Sequence, residues 1–267
     1  MKESTYVKKT TGFLNNLDFV KKPFVFDELD STNLSAKDLA KAGAEEGTVV
    51  IARIQRHGRG RFERSWESPE GGVYLSMILR PCVPHEKTSL LPFVAALAVA
   101  KTVNAYGTYA TIKWPNDVRV NGRKIAGILL ESEGEGPTID YVVVGFGINL
   151  AVELKELSAE IQSKSTSLLN EVHHPVDYHE FLKTFFLMFA HCYEIFKGQR
   201  YTEIIDEWKM YSDTLGKSVR VKTMTETLQG TAVDVDQSGF LLLWTAGGET
   251  KKILSGDCLY FDELDHA

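Results

Sequence analysis

Apolar and polar positions divide this chain into two textures. Phe24-Val25-Phe26 opens an apolar strand that stops at Asp27-Glu28-Leu29-Asp30. Ser31-Thr32-Asn33 then supplies a helix cap, and an amphipathic stretch follows to about Ala42, closed by Gly43. Thr48 to Ala52 is a β-branched run that predicts a buried strand, and Val73 to Leu79 predicts another. Leu90 to Tyr106 is mostly Ala, Leu and Val and long enough for a buried helix. Ala110 to Trp114 reads as a strand ended by Pro115. Val118 to Val120 and Lys124 to Leu130 flank Asn121-Gly122, which predicts a hairpin with a type I′ turn. Tyr141 to Gly147 predicts a further strand, and apolar residues at helical spacing predict one or two helices between Val176 and Trp208.

After Gly216 the texture changes. Five short alternating segments, at 218–223, 228–235, 240–244, 252–254 and 258–261, predict a small barrel. Residues 1–22 are mixed and polar and predict a short helix or arm. The expected organisation is an N-terminal arm over 1–23, a larger unit over 24–215 and a small β-barrel over 216–267. Strands mixed with helices and hairpin signals make the larger unit α+β, with a mixed or antiparallel sheet packed with helices, rather than doubly wound.

Composition narrows the class of protein without naming its chemistry. With 267 residues, 43% hydrophobic and 25% charged, the chain can bury a sizeable core unaided. The longest apolar run, Leu90 to Ala100, has 11 residues even with Pro92 counted, against about 20 for a membrane span. The N-terminus has no apolar signal-peptide core. Cys82, Cys192 and Cys258 lie far apart, so neither a disulfide framework nor a Cys-based zinc site is expected, and a reducing, cytoplasmic setting is. His173-His174 has no third ligand at a metal spacing. The net charge of −6 argues against nucleic acid or an anionic membrane as a partner of the surface as a whole.

One segment departs from that balance. Residues 53–64 hold five arginines and a single acid. All the cations are Arg, whose planar fork matches phosphate oxygens, and the interleaved glycines let backbone N–H groups approach an anion. A solvated basic loop would look similar, but with less reason for arginine and glycine together. No Gly-Lys-Ser/Thr follows, so this is not a Walker loop. Trp66 could stack a purine or simply pack in the core. Lys113-Trp114-Pro115-Asn116-Asp117 closes a strand and suits either a site or a turn. Lys124 precedes Ala126-Gly127, small enough for a ligand to lie against backbone, or it merely flanks a hairpin. Gly145-Phe146-Gly147-Ile148-Asn149 offers close approach, or a tight turn. Asp30 to Asn33 is explained locally by helix capping.

Taken in order, these clusters resemble the biotin protein ligases. The resemblance rests on Asp30-Ser31-Thr32-Asn33, Gln55-x-x-Gly58-Arg59-Gly60-Arg61-x-x-Arg64-x-Trp66, Lys113 to Asp117, Lys124-x-x-Gly127-Ile128-Leu129 and Gly145-x-Gly147-Ile148-Asn149. It spans roughly residues 24–150 and extends to the small C-terminal barrel. It implies a class II synthetase-like catalytic domain, an SH3-like barrel and a two-step reaction. Biotin and MgATP give biotinyl-5′-adenylate and pyrophosphate. A lysine of a biotin carboxyl carrier domain then attacks the adenylate and releases AMP.

By the same resemblance, Arg61 and Lys124 stabilise charge between the carboxylate and the α-phosphate, with Lys113 a candidate for local electrostatics. Ser31, Thr32, Asn33 and Gln55 recognise biotin, together with Arg59, Gly60, Arg61, Lys124 and Gly127. Arg59, Arg61, Arg64, Trp66, Asn116, Asp117 and Asn149 serve ATP or the adenylate. Mg2+ comes mainly on the ATP phosphates, with no protein ligand assigned. The alternatives are a lipoate-protein ligase, which lacks this Gly-Arg-Gly-Arg loop, and a non-catalytic biotin-binding module, which would have less use for Arg61 and Lys124. With only 23 residues before Phe24 and an acidic balance, no sequence-specific DNA binding and no membrane partner are expected; a homodimer is a possibility the family raises. The loop over 53–66 is expected to be mobile without ligand, being dominated by Gly and Arg.

Overall fold

A computed structural model describes residues 3–134 and 139–261. The two N-terminal and six C-terminal residues of the expected arm and barrel therefore lie outside the described residues. The chain runs α1 (Thr5–Leu14), β1 (Lys22–Leu29), α2 (Thr32–Lys41), β2 (Thr48–Gln55), β3 (Val73–Leu79), α3 (Leu91–Asn104), β4 (Ala110–Lys113), β5 (Asp117–Val120), β6 (Arg123–Glu133) and β7 (Tyr141–Ile148). Helices α4 (Ala159–Lys164), α5 (Leu168–Val172), α6 (Tyr178–Lys197) and α7 (Tyr201–Tyr211) follow. The last segment is β8 (Ser218–Lys222), β9 (Thr227–Val235), β10 (Leu241–Thr245), β11 (Thr250–Ile253) and β12 (Asp257–Tyr260).

The first seven strands form one sheet in the order β1-β2-β3-β7-β6-β5-β4. Only β1 and β2 pair in parallel; the other neighbours are antiparallel. The five remaining strands form a separate antiparallel sheet, β11-β10-β9-β8-β12. The expected α+β class, with a mixed sheet and a small all-β unit, is what the structure has.

The period of two in a strand explains how one sheet serves two layers. Val49 and Ile51 of β2, with Val142, Val144 and Phe146 of β7, face the large core built with α3, α6 and α7. Their neighbours Val50 and Val143 face the other side, where Ala36 and Ala40 of α2 pack on them. Helix α3 is apolar all round, and eleven of its 14 residues are buried, as expected of a helix enclosed by sheet and helices. Phe93 stacks on Trp208 of α7 at 4.2 Å between ring centroids.

The hairpin turn has Asn121 at φ 51° and Gly122 at φ 76°, the two left-handed residues of a type I′ turn. Residues 176–208 make two helices, parted at Gly198. Of the short helix or arm expected over residues 1–22, the structure has the helix, α1. Leu14 and Val20 are buried in the main core, and Ser4 Oγ donates to Asp27 at 2.8 Å. Among the described residues no helix is long and apolar enough to cross a membrane.

The small unit is fixed to the larger one along a polar seam. Trp114 Nε1 donates to Gly239 O at 3.1 Å, and Thr214 Oγ1 and Tyr260 Oη lie 2.8 Å apart. Tyr260 also donates to Asp213. Buried indole and hydroxyl groups here meet partners that desolvation would otherwise make costly to bury.

Candidate active site

A cavity of about 130 Å3 opens on the face of the large sheet that carries α2. Its floor is made by leaving side chains out. Gly127 of β6 lies opposite Gly147 of β7, and Leu129 lies opposite Gly145. A Cβ at 147 would sit 2.4 Å from Trp66 Cε2, and one at 145 would sit 1.9 Å from Asn33 Oδ1. A Cβ at 127 would meet Trp66 at 2.7 Å and Lys124 Nζ at 3.2 Å. The three glycines therefore let an indole, an amide and an ammonium lie directly on the sheet.

One end of the cavity is neutral and hydroxyl-rich. Ser31, Thr32 and Asn33 begin α2, and all three are buried. Ser31 holds the N-cap position, but its side chain makes no capping bond. Its Oγ is buried with no hydrogen-bond partner among the described residues. Helix capping therefore does not explain this motif, and a buried hydroxyl left open is available to a ligand and does not stabilise the fold through a bond of its own. Thr32 donates through its backbone N–H to Gln55 Oε1 at 2.9 Å, and its hydroxyl is 3.1 Å from the same oxygen. Gln55 Nε2 in turn donates to Ser68 Oγ at 2.9 Å.

The other end is cationic. The loop after β2 folds back on itself: Gly60 N donates to Arg64 O at 2.7 Å, and Trp66 N to Gly58 O at 2.8 Å. Phe62 and Glu63 form its tip at φ 52° and 60°, left-handed for both. The loop thus has internal anchors that its Gly and Arg content did not announce. Arg61 NH1 donates to Asn116 Oδ1 at 3.2 Å and to Gly256 O at 3.3 Å. Arg64 is ion-paired to Asp257, and Arg59 to Glu131 at 3.1 Å. Burial pushes the Arg61 guanidinium below its ordinary pKa, while Asp257 and Asp117 oppose that shift. Across the cavity Lys124 Nζ pairs with Asp117 at 2.7 Å and lies 5.2 Å over the Trp66 ring.

The structure brings thirteen of the expected residues to this one cavity, from four stretches of chain: Ser31 to Asn33 and Gln55; Arg59, Gly60, Arg61, Arg64 and Trp66; Asn116 and Asp117; Lys124 and Gly127. Two lie elsewhere. Lys113 closes β4 with its ammonium 4.4 Å over the Tyr260 ring, at the seam between the units. Asn149 is buried beyond β7, where Nδ2 donates to Thr166 O at 3.1 Å and its backbone oxygen accepts from Leu168 N at 2.9 Å. Asn116 lines the cavity while also donating from Nδ2 to Ile128 O.

Sequence reasoning missed three contributors. Ser76, fully buried on β3, donates to Asn33 Oδ1 at 2.6 Å and lies 2.8 Å from Thr32 Oγ1. Its signal was the single serine in the run Val73 to Leu79. Glu131 ends the apolar part of β6, and Asp257 follows Gly256 in the small sheet, some 200 residues from the arginine it meets. Only folding could reveal that last pair.

The arrangement suits a ligand that is neutral and hydrogen-bonding at one end and anionic at the other. Among the described residues no side chain in the cavity is poised as a nucleophile. Guanidinium and ammonium groups held in fixed positions could stabilise developing charge there.

Comparison with known proteins agrees. The family described as Biotin/lipoate A/B protein ligase matches residues 25–149, and the Biotin protein ligase C terminal domain matches residues 214–259. The bifunctional ligase/repressor BirA of Bacillus subtilis is 38% identical over 233 residues, covering 86% of this chain and 71% of that protein. The biotin–[acetyl-CoA-carboxylase] ligase of Paracoccus denitrificans is also 38% identical, over 80% of this chain and 90% of its own. The structure of Aquifex aeolicus biotin protein ligase in complex with biotin and ATP superposes with a TM-score of 0.76 at 29% identity, covering 90% of this chain and 98% of that one. With these relatives spanning both of its units, the chain belongs to the biotin/lipoate A/B protein ligase family.

Proposed function

We propose that this chain joins biotin to ATP, forming biotinyl-5′-adenylate and pyrophosphate, and passes the biotinyl group to a lysine of a biotin carboxyl carrier domain. One observation carries the reading: the buried, unpartnered Ser31 Oγ stands beside Thr32 and Gln55 in the same cavity as Arg61 and Lys124. The ureido group of biotin has one carbonyl and two N–H groups and needs hydroxyls and an amide. Its carboxylate must approach an α-phosphate, which needs cations. The chain resembles two relatives named as ligases and one crystallised with both substrates.

In the first step Arg61 and Lys124 would offset repulsion between carboxylate and phosphate, and Arg64 would meet the polyphosphate. Arg59 and Gly60 would close over biotin and keep water from the mixed anhydride. Trp66 would stack adenine, with Asn116 beside it. Mg2+ would arrive as counter-ion of the triphosphate, adding positive charge there. The carboxylates in the cavity, Asp117 and Asp257, already pair with Lys124 and Arg64. Among the described residues no group of three or more His, Cys, Asp or Glu could hold a metal. In the second step the acceptor ammonium, with an ordinary pKa of about 10.4, must lose its proton before it attacks.

We read residues 24–215 as the catalytic unit and 216–267 as a small barrel that contributes Gly256 and Asp257 to the site. The net charge of −6 argues against sequence-specific DNA binding, and a salt-sensitive, sequence-selective operator shift would overturn that part. The main test is incubation with ATP, an acceptor carrier domain and labelled biotin or lipoate. Incorporation of biotin with biotin-dependent pyrophosphate release is expected. Lipoate incorporation, or no release, would overturn the reading.

A further inference from the structure

A carboxylate outside both expected substrate-binding sets joins the two ends of the cavity. Glu131 lies on β6, on the same face as Gly127 and Leu129, and its side chain is 19% exposed. It accepts from Asn33 Nδ2 at 3.2 Å and from Arg59 NH1 at 3.1 Å on each oxygen. Lys37, one turn along α2 from Asn33, is 3.9 Å away. Glu131 thus ties the first turn of α2 to the arginine loop across the cavity.

The protons fix a direction along this chain of groups. A carboxylate only accepts, so the Asn33 amide must turn its NH2 toward Glu131. Its Oδ1 then faces Ser76, and an amide oxygen only accepts, so it takes the Ser76 proton at 2.6 Å, with Thr32 Oγ1 the other acceptor at 2.8 Å. The Thr32 hydroxyl gives its own proton to Gln55 Oε1 at 3.1 Å. With its proton on Gln55 Oε1, which also accepts from the Thr32 backbone N–H, Thr32 Oγ1 keeps its lone pairs for Ser76 and for a donor in the cavity. Without an acceptor-only group at 131 the Asn33 amide could reverse and present its NH2 to Ser76, leaving the Ser76 proton to Thr32 Oγ1 alone.

We propose that Glu131 is a positioning residue of the biotin ligase reaction: it fixes the Asn33 amide, and through it the donor–acceptor polarity of the hydroxyl pocket, and it holds Arg59 over the cavity. The inference rests on the biotin-ligase reading above. Glu131 itself need not touch substrate. It acts on biotin recognition through Asn33 and on retention of the adenylate through Arg59, which makes it a link between selecting the substrate and guarding the intermediate.

The test uses the full chain with Glu131→Gln, Glu131→Ala, Arg59→Ala and the Glu131→Ala/Arg59→Ala double variant. Biotin KM, ATP KM, kcat for adenylation and the escape rate of biotinyl-5′-adenylate are measured, with a thermal melt for each. Glu131→Gln is near-isosteric, so it keeps the packing while letting the amide chain reverse. It should raise biotin KM and adenylate escape by about tenfold each, the loss of one hydrogen bond to a charged partner, and leave ATP KM within about twofold. In the Arg59→Ala background, Glu131→Ala should add less than about twofold to escape, because the two act there as one unit. Biotin KM and escape both unchanged in a folded Glu131→Gln, or a fully additive double variant, would overturn the proposal. A wild-type chain with no biotin-dependent pyrophosphate release would instead overturn the functional reading, and this inference with it, which is a distinguishable result.

Discussion

Trp66 lies so close on Gly147 that a Cβ at that position would sit 2.4 Å from Trp66 Cε2. The indole can be flat on the sheet only because residue 147 has no side chain. Gly147→Ala is therefore expected to lift or tilt the ring, at an overpacking cost of about 1–3 kcal/mol. ATP KM should rise more than biotin KM, read from pyrophosphate release with each substrate varied. A folded Gly147→Ala variant with unchanged ATP KM would contradict a stacking role for Trp66.

Ser31 gives a prediction in which stability and binding part company. Its buried hydroxyl makes no bond among the described residues, so Ser31→Ala removes a desolvated group without breaking a pair. The ligand-free variant should melt at or slightly above the wild-type temperature, a change within about 0.5 kcal/mol. Biotin binding should weaken by about tenfold, the worth of one hydrogen bond to a ligand. Calorimetric titration and a melt on the same sample test both halves, and a large loss of stability would show that the hydroxyl has a structural partner.

Lys124 pairs with Asp117 at 2.7 Å on a surface 32% and 28% exposed. A pair so placed contributes at most about 1 kcal/mol to folding. Charge stabilisation at the reacting phosphate is worth more, about 2.7–4 kcal/mol for a group aimed at developing charge. Lys124→Met should thus melt close to wild type yet lose about a hundredfold or more in adenylation. Supplied with ready-made biotinyl-5′-adenylate, it should recover much of the transfer step. Equal loss in both steps would place the role of Lys124 elsewhere.

The seam between the two units should be sensitive to acid. Burial raises the pKa of Asp236, but Lys252 and the backbone N–H groups of Ser238 and Phe240 outweigh it and leave the carboxyl below its ordinary range. A carboxylate with a depressed folded pKa stabilises above its unfolded value and loses that contribution as pH falls through the folded one. The turn it holds presents Gly239 to Trp114 and Ser238 O to Ser89 Oγ at 2.8 Å. Asp236→Asn should therefore lower the melting temperature at neutral pH. The difference from wild type should shrink as pH falls below about 4. A difference that stays constant from neutral to acid pH would show that the charge is not what matters.

Much of the fold was legible because its signals are local. Asn121-Gly122 can form only one common hairpin turn, and the apolar run from Leu91 can only be enclosed. The catalytic half of the site was legible for another reason: its residues keep a fixed order along the chain. What stayed hidden depends on distance in sequence. Ser76 sits inside a predicted apolar strand, Glu131 just beyond the predicted strand Lys124 to Leu130, and Asp257 just before the segment 258–261, with nothing local to single them out. Each acquires meaning only from a partner far away: Asn33, Arg59 and Arg64. Ser31 was misleading in the opposite sense, since its position is that of a helix cap and its hydroxyl does not cap.

The contacts of Arg61 with Gly256 and of Arg64 with Asp257 carry a thermodynamic obligation. Each guanidinium meets the turn before β12 through one terminal nitrogen, so a ligand phosphate would share these groups with that turn. Whatever free energy the turn contributes to holding the arginines, a phosphate ligand that draws them away must overcome, and by reciprocity the ligand loosens the turn by the same amount. The small sheet and a ligand phosphate thus draw on the same positive charge of the loop.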